Sequence, residues 1–300
     1  ELNWSTYANA NIDAGMKSPY LKIHVQTELP RMLVFVGMNF ENEILKSKNV
    51  RRAMALLMDR KSFNEKYFFN LYDLAVGPFM RTSPYFVPDL KPTPFDPSAA
   101  RLLLQGDLWE RNPQTGILEK TINGKKVPLE LKLAFGNKFY APLWDQYQQE
   151  LRQVGIKLNI EKIDSPRLWE LLTERKVTEN KIDMWAMAWS ETTLEGDPIQ
   201  VWHSDSARKG GVNFGHYKNE LVDQLIDKAR REPNSKKRIE LFKKASTLIA
   251  EDQPYVFMYN NKYVFYAHSK RIRKPQNSFR YGIGTETWWS SDIQNTKASK

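Results

Sequence analysis

The stretch Asp183–Pro198 reads DMWAMAWSETTLEGDP. Alternation puts Trp185, Met187 and Trp189 on one side of a strand and Met184, Ala186 and Ala188 on the other. Both sides are apolar, which predicts the interior of a sheet rather than an edge with one wet face. After Trp189 the character changes at once, to hydroxyls, two glutamates, a glycine and an Asp-Pro turn. Two readings follow. Either a core strand empties into an ordinary surface loop, or this is the strand end where α/β proteins place a ligand.

Helical and extended patterns alternate around this strand. NVRRAMALLMDRKSF, from Asn49, carries the apolar stripe Val50, Ala53, Met54, Leu57 and Met58, with Arg51, Arg52, Asp59 and Arg60 expected to face outward and Asn49 as cap. RMLVFVGMNF, Arg31–Phe40, reads as a buried strand. Residues 77–97 hold six prolines among aromatics and predict an extended segment packed across a surface. FDPSAARLLLQG supplies an Asp96 cap, Pro97 in the first turn and Gly106 as a stop. In GILEKTINGKKVPLELKLAFG, Asn123-Gly124 predicts a hairpin turn, with Leu129, Leu131, Leu133 and Phe135 alternating after it. A stripe from Tyr140 to Val154 predicts a helix stopped by Gly155; Ile156, Leu158 and Ile160 predict a strand, and Ser165-Pro166 a further helix. Helices near 221–231 and 236–251 and two aromatic strands around Asn260-Asn261 complete an α/β pattern.

Composition narrows the function. Three hundred residues with 41% hydrophobic and 12% aromatic content can bury a large core in one or two domains. There is no run of about eighteen apolar residues to span a membrane. With no cysteine, disulfides and thiolate chemistry are excluded, which fits an oxidising compartment such as a periplasm. Four scattered histidines predict neither a zinc site nor any other metal. Nucleotide, hydrolase and calcium-loop signatures are all missing, and YGIGTE is a bare Gly-x-Gly with no helix after it. Net charge is +10, much of it near the C-terminus, where SKRIRK (Ser269–Lys274) reads as a solvated edge in preference to a nucleic-acid or lipid contact. The expectation is a binder without cofactor rather than an enzyme; a hydrolase using Glu191 and Asp197 as acid and base lacks a positioned nucleophile.

NVRRAMALLMDRKSF, PFDPSAARLLLQGDLW, VGIKLNIEKID, KIDMWAMAWS, NFGHYKNELVDQLIDKAR and AEDQPYVFMYNNKYVFY, in this order, resemble the family 5 extracellular solute-binding proteins of ABC importers. The hairpin and TETWW look most like the oligopeptide branch associated with microcin C-type uptake. The resemblance implies a periplasmic-binding-protein-like fold (type II, cluster C), here as the C-terminal portion of a longer, two-lobed protein. Residues 28–267 would form lobe two, with a mixed sheet and flanking helices, and 1–27 and 268–300 would be segments of lobe one. SKRIRK would mark the crossing between lobes. The implied ligand is an oligopeptide, the partners an ABC permease and the missing N-terminal lobe, and the place the periplasm; nickel, haem or another small solute is the alternative. Site residues implied at the cleft are Trp189, Ser190, Glu191, Thr192, Asp197 and Asn213, with Trp189, Glu191 and Asn213 on an open surface and Trp185 in the core. Thr192 stands where peptide-binding members carry the Asp that holds the peptide's amine, which leaves Glu191 as the nearest acid.

Overall fold

The computed structural model describes residues 21–27, 32–190, 195–261, 263–274 and 287–290. In chain order the strands are β1 (Leu21–Thr27), β2 (Met32–Met38), β3 (Tyr72–Leu74), β4 (Glu110–Arg111), β5 (Leu118–Ile122), β6 (Lys125–Pro128) and β7 (Glu130–Phe135). They continue with β8 (Lys157–Lys162), β9 (Met184–Ser190), β10 (Tyr255–Asn261), β11 (Tyr263–Ser269), β12 (Ile272–Arg273) and β13 (Trp289–Ser290). Six of them form one mixed sheet in the order β3-β10-β2-β9-β7-β8. β9 lies inside it, antiparallel to β2 and parallel to β7.

The two apolar sides of β9 feed two cores. Met184 and Ala186 pack with Val34, Val36, Leu133, Phe135 and the helix Ala141–Val154, which contributes Leu143, Trp144, Tyr147 and Leu151. Trp185, Met187 and Trp189 pack with Leu33, Phe35, Tyr255, Phe257 and the helix Ser165–Thr173, which contributes Leu168, Leu171 and Leu172. The sheet is therefore covered on both faces, as a strand apolar on both sides requires. Close backbone approach decides one position on β2. A Cβ on Gly37 would lie 2.5 Å from Cε2 and Nε1 of Trp185, so only glycine leaves room for the indole.

Several local expectations match the structure. Asp96 accepts from the Ala99 N–H with Pro97 in the first turn, and Gly155 closes the helix Ala141–Val154 at φ 93°. The hairpin turns at Asn123 and Gly124, both at positive φ. Its second limb then divides: β6 pairs with β5, while β7 leaves to join the central sheet.

Other expectations need correction. The helix from Asn49 is two helices, Lys48–Leu56 capped by Ser47 and Arg60–Phe68 capped by Asp59. Asp59 draws the Ser62 N–H to its carboxylate and starts a new helix where the apolar stripe alone suggested continuity. Arg51 and Arg60 are buried rather than outward, at 4% and 3% exposure. Their guanidinium groups satisfy main-chain carbonyls: Arg51 those of Leu45, Lys46 and Asp252, Arg60 those of Ala75, Thr93 and Phe257. Burial pushes both pKa values down to about 10, still far above neutrality.

A second sheet begins where β10 ends. β11 follows after one residue, pairs antiparallel with β1, and shares no pairing with the six-stranded sheet. The change of sheet thus falls between β10 and β11, ahead of SKRIRK, which ends β11, turns, and pairs as β12 with β13. At this edge Asn261 Oδ1 accepts from the Met32 N–H at 2.9 Å and Asn260 Nδ2 donates to the Met32 carbonyl at 3.3 Å.

Candidate functional site: a notch at the carboxyl edge of the sheet

Register builds the site. β7 pairs with β9 only from Met184 to Ala186, whereas β2 accompanies β9 through to Ser190. From Met187 onward β9 is paired along one edge only, and a notch opens beyond the end of β7. The helix after β7 and the helix after β8 pack on opposite faces of the sheet. Strand order in space, β9-β7-β8, reverses the chain order at this place. The carboxyl ends of strands at such a reversal are where open α/β sheets form a ligand crevice.

A cavity of about 390 Å³ fills the notch. Its floor is Ala186, Met187 and Ala188 of β9 with Met32 and Val34 of β2; Phe135, Gly136 and Asn137 form the exit of β7. Tyr140 and Trp144 close one side, and Ser165, Leu168 and Trp169 the other. No charged side chain is among these. The two small residues Ala186 and Ala188 fall at successive positions on one side of the strand and leave the hollow unfilled. Gly136 lets the end of β7 pass close to Ser165, whose Oγ and N–H a Cβ would meet. Asn137 and Asp164 each cap the turn that follows them, so both helical starts are held at the rim. Burial drives the Tyr140 phenol far above its ordinary pKa, and its hydrogen bond with Tyr72 keeps it a neutral polar group in the wall.

An aromatic wall extends from the cavity. Trp169, 44% exposed, meets Trp189 edge-on at 6.4 Å and Phe214 at 5.4 Å. Trp189 lies stacked between Phe214 at 5.8 Å and Phe35 at 5.7 Å. Arg175 holds Phe214 from behind: its guanidinium sits 5.7 Å from the ring and donates to the carbonyls of Ser206, Arg208, Gly211 and Asn213. Burial lowers the Arg175 pKa, and four carbonyl acceptors stabilise the charge that remains.

Among the residues named from sequence, Trp189 is half-buried beside the notch and Ser190 is exposed at the end of β9. Trp185 is fully buried, as expected. Glu191 and Thr192 lie outside the described residues. Asp197 accepts from the Ile199 N–H at 3.0 Å and pairs with Arg230 Nε at 2.9 Å. Asn213 departs from the expected open surface, at 2% exposure. Its amide donates to the carbonyls of His203 and Tyr217 and accepts from the Tyr217 N–H, so it locks a loop from a buried position. Sequence reasoning missed Trp169, Phe214, Arg175 and the cavity lining. Tyr140 and Trp144 were legible only as a helix stripe, and the paired alanines of β9 were the one local sign of a hollow.

An open mixed sheet, covered on both faces, with a crevice at its carboxyl edge, is an architecture of the periplasmic-binding-protein type. The chain belongs to the bacterial extracellular solute-binding proteins, family 5: the model for the middle region of that family matches residues 2–211. It is similar to the oligopeptide-binding protein AppA of Bacillus subtilis (strain 168), 28% identical over 272 residues, covering 89% of this chain and 48% of the relative. A probable di/tripeptide-binding protein 5 of Pseudomonas aeruginosa (strain UCBPP-PA14) is 26% identical, with 80% and 42% covered. The structure of AppA from Bacillus subtilis with a nonapeptide superposes with a TM-score of 0.81 at 26% identity, over 95% of this chain and 55% of that one. NikZ from Campylobacter jejuni, in complex with Ni(L-His), shares the fold with a TM-score of 0.76 at 23% identity, over 94% and 56%. The chain spans about half the length of the curated relatives it matches.

Proposed function

We propose that this chain is the second lobe, with short segments of the first, of the substrate-binding component of an ABC importer that captures oligopeptides outside the cytoplasmic membrane. Residues from about 28 to 267 form the lobe, and the ligand is held between it and a first lobe before delivery to a permease. The observation that carries this reading is the notch: an uncharged cavity beside a strand edge that β7 leaves unpaired beyond Ala186. Main-chain groups along Met187–Ser190 suit an extended peptide, which gains affinity from backbone hydrogen bonds whatever its sequence. Trp189 and Ser190 would lie against it, and Glu191, next in sequence, would be the acid that meets its amine. The peptide-binding relatives support the choice of ligand; the nickel-binding neighbour supports only the fold. Nothing in the site calls for a catalytic role.

Isothermal titration of the complete gene product with di- to nonapeptides, a nickel–histidine complex and haem tests this. Binding of peptides and silence toward the other two is the expected result. Silence toward every peptide would sink the proposal.

A further inference from the structure

We propose, resting on the peptide-binding reading above, that the notch is a specificity pocket for one aromatic side chain of the bound peptide. Three observations carry this. Its walls are aromatic and aliphatic, with no charged side chain among the lining residues, so a Lys, Arg, Asp or Glu entering it would leave its hydration without a partner. Its size, about 390 Å³, lies at the small end of the roughly 300–1,000 Å³ of ligand pockets, enough for a ring and its flanking main chain but small for a cofactor. It is hollow because Ala186 and Ala188 are small, while the groups around them are large and fixed: Trp144 is 1% exposed, Tyr140 8% and Leu168 2%.

Trp169 and Tyr140 offer ring edges and faces to an aromatic guest from the two sides. The family's fold provides a cleft; these particular residues make one part of it selective.

The test is a positional panel. The complete gene product is titrated with tetra-alanine peptides in which each position in turn carries Phe, Lys or Asp. At one position, Phe should bind at least tenfold tighter than Ala, and Lys and Asp no tighter than Ala. If peptides bind but no position favours Phe by tenfold, the pocket is overturned and the peptide-binding function stands. If no peptide binds, both fall. The Ala188→Leu substitution, which places an isobutyl group in the hollow, should bring the Phe-to-Ala ratio below tenfold. A ratio kept at tenfold or above in a folded Ala188→Leu protein would show that the ring binds elsewhere.

Discussion

Two tryptophans four residues apart on one side of β9 have different surroundings, and the difference is testable one residue at a time. Trp185 is fully buried against Gly37 of the neighbouring strand, whereas Trp189 is half-buried in an aromatic wall that begins at the exposed Trp169. Ligand added to a Trp185→Phe protein should still change its tryptophan fluorescence, while Trp189→Phe should lose most of that change. Equal losses in the two would mean that the wall does not face the ligand. Gly37→Ala asks about packing alone. The new methyl would overlap a rigid indole held by a close-packed core, and overpacking of this sort costs about 1–3 kcal/mol. Urea melts that place the variant within a few tenths of the parent would mean that Trp185 has more room than its contacts allow.

Helices and strands here are anchored at their ends by single polar groups, and these anchors give the element-scale predictions. The helix Ser235–Asp252 ends in a carboxylate that accepts from Tyr217 Oη at 2.8 Å, Asn219 Nδ2 at 2.7 Å and Lys48 Nζ at 3.0 Å. Burial pulls the Asp252 pKa upward, but the bonds from Asn219, Tyr217 and Lys48 outweigh it and leave the pKa below its ordinary value. A depressed carboxyl pKa stabilises the fold above the unfolded-state value of about 4, and that contribution fades as pH falls through the folded-state value. Asp252→Asn should therefore be destabilising at pH 7, and by less at pH 3, in denaturant melts at each pH; an equal deficit at both would argue against a charged anchor. Removing the cap with Asp96→Ala should cost about 0.5–2 kcal/mol, read in the same way. The legibility of the fold follows from the same physics. Caps at Asp96 and Gly155, the Asn-Gly turn and the two-sided strand act within a few residues, so sequence alone revealed them. The buried Arg51 and Arg60 were missed because their meaning depends on carbonyls contributed from elsewhere, Asp252 for Arg51 and Phe257 for Arg60, whereas the Asp59 cap is as local as the others and was masked by an apolar stripe that runs on past it. The notch was invisible for a like reason: it exists because β7 stops short of the end of β9, a matter of register between strands 50 residues apart in sequence.

At the scale of the molecule, the proposed function makes the chain one wall of a cleft. A two-lobed receptor draws its contacts from both walls, and binding must first offset several kcal/mol of lost translational and side-chain freedom. The 300-residue chain by itself is therefore expected to fold, because its sheet is covered on both faces, yet to bind peptide weakly or not at all. Trp289, 50% exposed in the short β12–β13 sheet, adds apolar surface that should favour self-association at high concentration. Sedimentation and titration of the isolated chain check both points. Micromolar or tighter peptide binding by a strict monomer would overturn the need for a second wall.

The position of β2 has a consequence for how the protein is made. Its sequence, MLVFVGM, carries no charge and no proline, and it lies between two strands that come much later in the chain. Met32 bonds to Asn260, 228 residues further on. At the ~5–20 residues per second of ribosomal synthesis, that partner emerges roughly 10–45 seconds after β2 does. Until β9 emerges both edges, and from then until β10 emerges one edge, of an apolar, strand-forming heptapeptide are open to any similar segment nearby, which is the condition under which nascent chains aggregate. The central place that makes β2 secure in the finished sheet makes it the segment most in need of a chaperone's cover while the chain is still being written.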